Sequence, residues 1–327
     1  MNLPGHVSPP SDQENRMPGN PLISVVVCTL NRAPILRVAL GSLAAQTLDP
    51  DLFEVIVVDN GSTDETREVA ESFPANFRYV RETEPGLSHA RNRGCREALG
   101  DYVAYTDDDC RLPPGWLEAA RKAIEDLSPS VFGGPYFAFY NGPKPEWFRD
   151  SYGSHDQGRE RRVLGPQEYL DGGNLFFLRS LLTEIGGFDP RLGMVGGRLA
   201  YGEETALQRH LRATRPGEAI WYVPEVFVHH LVRSDKMDLW RVACSRFALG
   251  RDVSRVWKDA PPPAHAIMWE ASFTLAGLVG EVFRALFFRN RTEHPRLENH
   301  LYERAFPRVS ALGGLWAKCR QLAGFPH

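Results

Sequence analysis

From Leu22 to Cys28 the chain reads LISVVVC, a continuous β-branched run of the kind that makes a strand buried on both faces. Apolar residues then recur at helix spacing over Ala33 to Gln46, with Ile35, Leu36, Ala39, Leu40 and Leu43 on one side. Phe53 to Val58 is a second buried-strand run, and Ser62, Thr63 and Asp64 are N-cap residues that predict a helix opening there. Phe77 to Val80 and Asp101 to Thr106 read as further strands, separated by a helical stretch from Leu87 to Leu99. Strand and helix alternate without a break, which predicts an α/β fold built on a mostly parallel sheet, with ligands beyond the carboxyl ends of its strands.

The pattern changes after the helix that follows Trp116. Val131 to Tyr140 reads as extended, and NGPKPEWFRDSYGSHDQGRERR, residues 141–162, as a long exposed loop. Gly173 to Leu178 resumes a strand, Glu203 to Ala213 a helix, and Ala219 to Val228 one or two strands. From Asp238 onward the chain reads as mostly helix, broken at Pro261 to Pro263. Three regions follow from this pattern: a disordered leader at 1–20, an α/β unit at 21–232, and a helical C-terminal region at 233–327. The apolar face of Ser272 to Phe288 is interrupted by Glu281 and Arg284, so no uninterrupted spanning segment is evident. That face reads as a helix packed on the α/β unit or, alternatively, as peripheral contact with a membrane through residues 264–291.

Composition narrows the classes. The 327 residues are 43% hydrophobic with a formal net charge of −3, which gives no overall field for nucleic acid, so none is expected as a partner. Five scattered cysteines without a C-x-x-C pair read as reduced thiols, and the leader lacks a signal-peptide core; both favour a cytoplasmic chain.

The predicted strand ends carry the candidate chemistry: Thr29, Leu30, Asn31 and Arg32 after the first, Asp59 to Asp64 after the second, and Asp107, Asp108 and Asp109 after the fourth. Such residues also serve turns and caps, but three oxygen-rich ends on one sheet edge point to a site. Three consecutive aspartates are costly to hold without a cation. Alternation along an extended segment lets Asp107 and Asp109 face one ligand while Asp108 turns away. Hard carboxylate oxygens suit magnesium or manganese, which suit a diphosphate. No G-x-G, P-loop or G-x-S-x-G sequence occurs. Downstream, Glu203 and Glu204 open a helix after a glycine-rich approach, complementing its dipole or offering a general base. His229 and His230 end a strand, where one imidazole can complete a metal site.

The ordered set SVVVCTLNR, VIVVDNGSTDET, EPGLSHARNRG, YVAYTDDDCRLPPGWL, GGNLFFLR, GGFDPRLG, GEET and VPEVFVHH resembles the inverting family 2 glycosyltransferases with the GT-A fold, over roughly residues 22–232. The resemblance implies a nucleoside-diphosphate-sugar donor and a manganese or magnesium cofactor. The acceptor it implies is a carbohydrate or lipid-linked hydroxyl, at the cytoplasmic face of a membrane where that acceptor is a lipid. It puts Thr29, Asn31, Arg32, Asp59, Ser62, Arg91, Asp107 and Asp108 at the nucleotide sugar, with Asp109, Asp107 and His229 or His230 at the metal. Glu203 and Glu204 fall on the family's acidic pair, whose second member, the base, is normally an aspartate; here it is Glu204. No Q-x-x-R-W motif occurs, which implies transfer of a single sugar. A sugar nucleotidyltransferase and a non-catalytic nucleotide-sugar-binding protein are the competing readings. The first usually has a glycine-rich basic loop where this chain has TLNR.

Overall fold

The computed structural model describes residues 20–196, 198–257 and 261–324, so the leader, apart from Asn20, lies outside the described residues. An eight-stranded sheet forms the centre. Its strands are β1 Ile23–Thr29, β2 Phe53–Asp59, β3 Phe77–Arg81, β4 Tyr102–Asp107, β6 Val131–Gly133, β8 Arg162–Val163, β9 Asn174–Leu178 and β10 Ile220–Tyr222. The order across the sheet is β3-β2-β1-β4-β9-β6-β10-β8. The pairs β3-β2, β2-β1, β1-β4 and β6-β10 are parallel, while β9 runs antiparallel to both β4 and β6 and β8 antiparallel to β10. A second sheet joins β5 Cys110–Arg111, β11 Val228–Leu231 and β7 Tyr136–Phe139 in the order β5-β11-β7.

Alternate residues of β1 feed two cores. Ile23, Val25 and Val27 pack with Leu36, Leu40 and Leu43 of α1 (Ala33–Ala44), Val69 of α2 (Thr66–Glu71) and Leu117 of α4 (Trp116–Leu127). Val26 faces the other way, with Ala90 of α3 (Leu87–Glu97), Leu182 of α5 (Arg179–Glu184) and Leu211 of α6 (Glu203–Thr214). This is the three-layer arrangement that the uninterrupted apolar strands require, since each strand must be covered on both faces. The C-terminal helices are α7 Leu239–Trp257, α8 Ala264–Phe287, α9 Leu297–His300 and α10 Phe306–Leu322, with a π-helical turn at Leu301–Ala305.

Four expectations are corrected. The second helix begins at Thr66 rather than at Ser62 to Asp64: Ser62 and Thr63 bond across to Asn31 and Asp59, while Asp64 accepts from the Ala33 amide with one carboxylate oxygen and from the Thr66 amide, at the helix start, with the other. The extended run at 131–140 is two strands in different sheets, broken at Gly133-Gly134-Pro135; a Cβ on Gly134 would lie 2.0 Å from the Val226 carbonyl oxygen. The segment 141–162 is not wholly exposed: Trp147 and Phe148 are buried with Val232 and Met237. Finally, the apolar segment near 272–288 lies in a 24-residue helix, α8, long and apolar enough to cross a bilayer by length and composition, and most of its apolar face is uncovered.

Candidate active site

Strands β1, β2 and β4 end side by side where the order reverses about β1, the switch point whose crevice binds ligands in open α/β sheets. Asn31, just past β1, adopts a left-handed backbone with φ 53°, which Asn tolerates better than most residues. Its Oδ1 accepts from the Thr63 amide at 2.8 Å, while its own amide donates to Ser62 Oγ at 2.8 Å. Asp59 Oδ1 accepts from the Ser62 amide at 2.8 Å and Oδ2 from Tyr79 OH at 2.7 Å. Asp64 Oδ2 accepts from the Ala33 amide at 2.9 Å, supplying the cap that α1 lacks from its own N-cap residue. The polar strand ends thus form one hydrogen-bonded rim.

The three aspartates divide as alternation predicts. Asp108 is buried and turned inward, accepting from Thr29 Oγ1 at 2.7 Å and from Arg32 Nη1 at 2.8 Å. Burial pushes its carboxyl up to about 6, with Arg32 pulling down and Asp109 pushing further up. Asp107 and Asp109 face the same space, with carboxylate oxygens and Cys110 Sγ all within 4.8 Å of one another. His230 Nε2 stands 3.3 Å from Asp109 Oδ1, and Lys236 Nζ 3.6 Å and Arg32 Nη1 3.8 Å from Asp109 Oδ2. Burial opposes ionisation of Asp109, but the hydrogen bond and charge of His230, aided by Lys236 and Arg32, hold its carboxyl well below the usual range. Two adjoining carboxylates and an imidazole are a donor set that fits a hard divalent cation. Burial keeps the Cys110 thiol far above its ordinary value, so it stays protonated and offers no thiolate.

Register separates the two histidines. On β11, His230 pairs with Cys110 and His229 with Arg111 of β5. Alternation then turns His230 toward Asp109 and His229 toward Phe137 and Phe227. His229 is therefore not brought to the aspartates, and burial and Arg111 lower its pKa.

Arg91 on α3 ties the acidic pair to the aspartates. Its guanidinium is buried over the Phe188 ring, with Nη1 2.8 Å from Glu203 Oε1 and Nη2 3.6 Å from Asp107 Oδ1. Glu203 Oε2 is buried without a hydrogen-bond partner. The neighbouring Glu204 is only partly covered, yet burial first, and the Glu203 charge second, raise its carboxyl well above the ordinary range against the pull of Arg91. The loop before α6 is fixed from α7: Arg251 donates to the Leu199 carbonyl oxygen at 2.8 Å, and the Tyr201 amide donates to Asp252 Oδ2 at 3.1 Å.

Several site residues carried no sequence pattern. Lys236 lies six residues past His230 in RSDKMD, at no recognised spacing. Tyr136 lies between His230, tilted at a ring-centroid distance of 5.2 Å, and His155, edge-on at 6.2 Å, and His155 Nδ1 meets Asp171 Oδ2. Gly172 and Gly173 did carry a signal, a glycine pair before a strand. A Cβ on Gly172 would stand 2.5 Å from Arg91 Nη2, and one on Gly173 2.6 Å from Asp107 Oδ2.

Residues 24–186 match the family described as Glycosyl transferase family 2. The chain is similar to Glycosyltransferase AglE of Haloferax volcanii, 25% identical over 242 residues that cover 72% of this chain and 74% of that protein. It is also similar to the Glucosyl-dolichyl phosphate glucuronosyltransferase of Haloferax volcanii, 27% identical over 218 residues, covering 64% and 68% respectively. Among solved structures, the mannosyltransferase PcManGT from Pyrobaculum calidifontis, in complex with GDP-Man and Mn2+, superposes with a TM-score of 0.53 at 21% identity over 94% of this chain and 76% of that one, a likeness of fold.

Proposed function

Since the chain belongs to glycosyl transferase family 2 and has the GT-A fold, we propose that it transfers a single sugar from a nucleoside-diphosphate sugar to a hydroxyl acceptor, inverting the anomeric centre and depending on manganese or magnesium. One observation carries this reading: Arg91 bridges Asp107 at the end of β4 to Glu203 at the start of α6. A contact that links the candidate cation ligands to the segment bearing the candidate base supports this reading. Membership of a transferase family also replaces the nucleotidyltransferase and non-catalytic readings.

Asp107, Asp109 and His230 would hold the cation, and Asn31, Asp59, Ser62, Thr29 and Arg32 shape the nucleotide side of the crevice, the last two by fixing Asp108. A divalent ion bound there supplies positive charge for the leaving diphosphate. Glu204 accepts the proton of the acceptor hydroxyl. The acceptor oxygen bonds to the anomeric carbon, and the electron pair of the breaking sugar–phosphate bond leaves with the nucleoside diphosphate. A carboxylate with a raised pKa is the stronger base once ionised, which suits Glu204 to this step. Glu203, neutralised by Arg91, holds that guanidinium between α3 and α6. The catalytic unit spans 21–232, with 233–327 a helical support that contacts a membrane peripherally through 264–291, in the cytoplasm.

Both the relative acting on a glucosyl-dolichyl phosphate and the GDP-Man and Mn2+ complex of the structural neighbour favour this donor, cofactor and lipid-linked acceptor. The test is to incubate the protein with labelled sugar nucleotides, with and without manganese, and follow release of nucleoside diphosphate. Metal-dependent release that Asp109→Ala abolishes, falling at least about a hundredfold, is expected; pyrophosphate exchange, or binding with no turnover under any metal, would sink the reading.

A further inference from the structure

Helix α8 is 24 residues long, about 36 Å at 1.5 Å per residue. Trp269, Phe273, Val279, Phe283, Leu286 and Phe287 are each between 54% and 69% exposed. At about 100° per residue these six fall within an arc of about 140°. The charged residues of the helix, Glu270, Glu281 and Arg284, all fall outside that arc. The opposite side is packed and polar: Ile267 and Ala285 are fully buried, and Gly277 lies against the Arg308 guanidinium. Glu281 there meets His300 at 3.1 Å and Arg284 at 2.6 Å. The helix is therefore fixed to α10 and the 297–305 turn by one flank and presents the other bare.

Charge selects among the surfaces that could cover it. From Val282 to the C-terminus the sequence carries eight arginines and lysines against three acidic residues, in a chain whose net charge is −3. Arg284 borders the apolar arc, and Arg289 and Arg291 follow at its C-terminal end. An aromatic arc this wide with a basic border differs from the narrow aliphatic seam of a helix pair. It has the composition of a helix lying in a lipid headgroup layer. Crossing the bilayer is disfavoured because Glu281, Arg284, His300 and Arg308 form one contact group, and spanning would draw those ionisable residues into hydrocarbon.

We propose that α8 lies flat in the headgroup–acyl boundary of an anionic lipid bilayer, its bare aromatic arc inserted and Arg284, Arg289 and Arg291 meeting lipid phosphates. The proposal rests on the membrane contact in the reading above, not on the transfer chemistry, so the two can fail separately. The test uses the full-length protein with phosphatidylcholine vesicles, with and without phosphatidylglycerol. Flotation is expected with the anionic vesicles and a drop of about tenfold without phosphatidylglycerol or at high salt. The paired substitution Phe273→Asp and Phe283→Asp should cut flotation by at least about tenfold, since two large apolar side chains leave the layer. Thermal stability and donor hydrolysis should stay at the wild-type level. Lipids brominated near the headgroup should quench emission that Trp269→Phe removes. Equal flotation of wild type and paired variant overturns the proposal, as does quenching only by deeply brominated lipids, which marks a spanning helix. A doubled mass in light scattering that the paired variant returns to the monomer, with no flotation, assigns the face to a second copy and also overturns it.

Discussion

Two adjacent glutamates differ because their neighbours differ. Glu203 is paired with a buried guanidinium, whereas Glu204 has burial and a neighbouring negative charge acting on it. Catalysis through Glu204 needs the ionised form, so turnover should rise with pH as this raised group loses its proton. Glu204→Gln should lower kcat by about 10²- to 10⁴-fold, abolish that rise and leave donor affinity near wild type. Retention of the acidic limb in a pH profile of the variant would move the base elsewhere. Gly173→Ala tests the crevice from the other side. The added Cβ would meet Asp107 Oδ2 at 2.6 Å, so the carboxylate must shift. Titration with manganese and a nucleoside diphosphate should then show affinity reduced by about tenfold or more, roughly the cost of disturbing one charge-assisted contact. At this scale the sequence disclosed the strand-end aspartates because hydrophobic runs deliver them to one edge. It left His229 and His230 equivalent, since which face of β11 looks at Asp109 is decided by pairing with β5 about 120 residues away in the chain. Lys236 was hidden for a similar reason: tertiary placement, not spacing, brings its ammonium to Asp109.

Elements were legible where burial on both faces forced an unbroken apolar run, as in β1, β2 and β4. They were misread where polar residues had partners outside their own segment. Ser62 and Thr63 resemble a helix cap but bond to Asn31 just past β1, and only Asp64, shared between the starts of α1 and α2, reaches Thr66, where α2 begins. Residues 131–140 resemble one strand until Gly134 passes so near the Val223 and Val226 carbonyls that the chain must change sheets. The same close-approach logic governs the crossing of α7 and α10, which sequence periodicity did not expose. A Cβ on Gly250 would lie 1.7 Å from the Ser310 carbonyl oxygen, and one on Gly313 2.0 Å from that of Phe247. Gly250→Ala should therefore force these helices apart and cost about 1–3 kcal/mol, a loss read directly as a lower midpoint in denaturant. Because α7 also carries Arg251 and Asp252, which hold Leu199 and Tyr201 ahead of α6, donor hydrolysis by the same variant should slow. An unchanged midpoint would mean that the crossing is looser than the backbone contact implies.

Across the molecule, the C-terminal helices are joined to the α/β unit through the segment at 141–162, which the sequence presented as a solvated loop. Arg149 Nη1 pairs with Glu303 at 2.8 Å and its Nη2 donates to the Glu293 carbonyl oxygen at 2.6 Å, while Asn299 donates to the Trp147 carbonyl oxygen at 2.5 Å. The Tyr152 and Tyr302 rings stack with centroids 3.9 Å apart, and Tyr302 OH donates to the Tyr152 carbonyl oxygen at 3.1 Å. These contacts are apolar, ionic and main-chain at once, so breaking one leaves the others strained or unpaired, the condition for cooperative unfolding. The full chain should accordingly melt in a single calorimetric transition despite its two compositional halves. Tyr302→Ala removes the stacked ring, the Arg246 cation–π contact and the bond to Tyr152. It should lower stability by about 2–4 kcal/mol, moving that one transition as a whole. The segment also bears His155, whose ring lies beside Tyr136 at the crevice, so the variant's acceptor KM should rise more than its donor KM. Two resolved transitions, only one of them shifted by Tyr302→Ala, would show instead that residues 233–327 fold independently of the sheet.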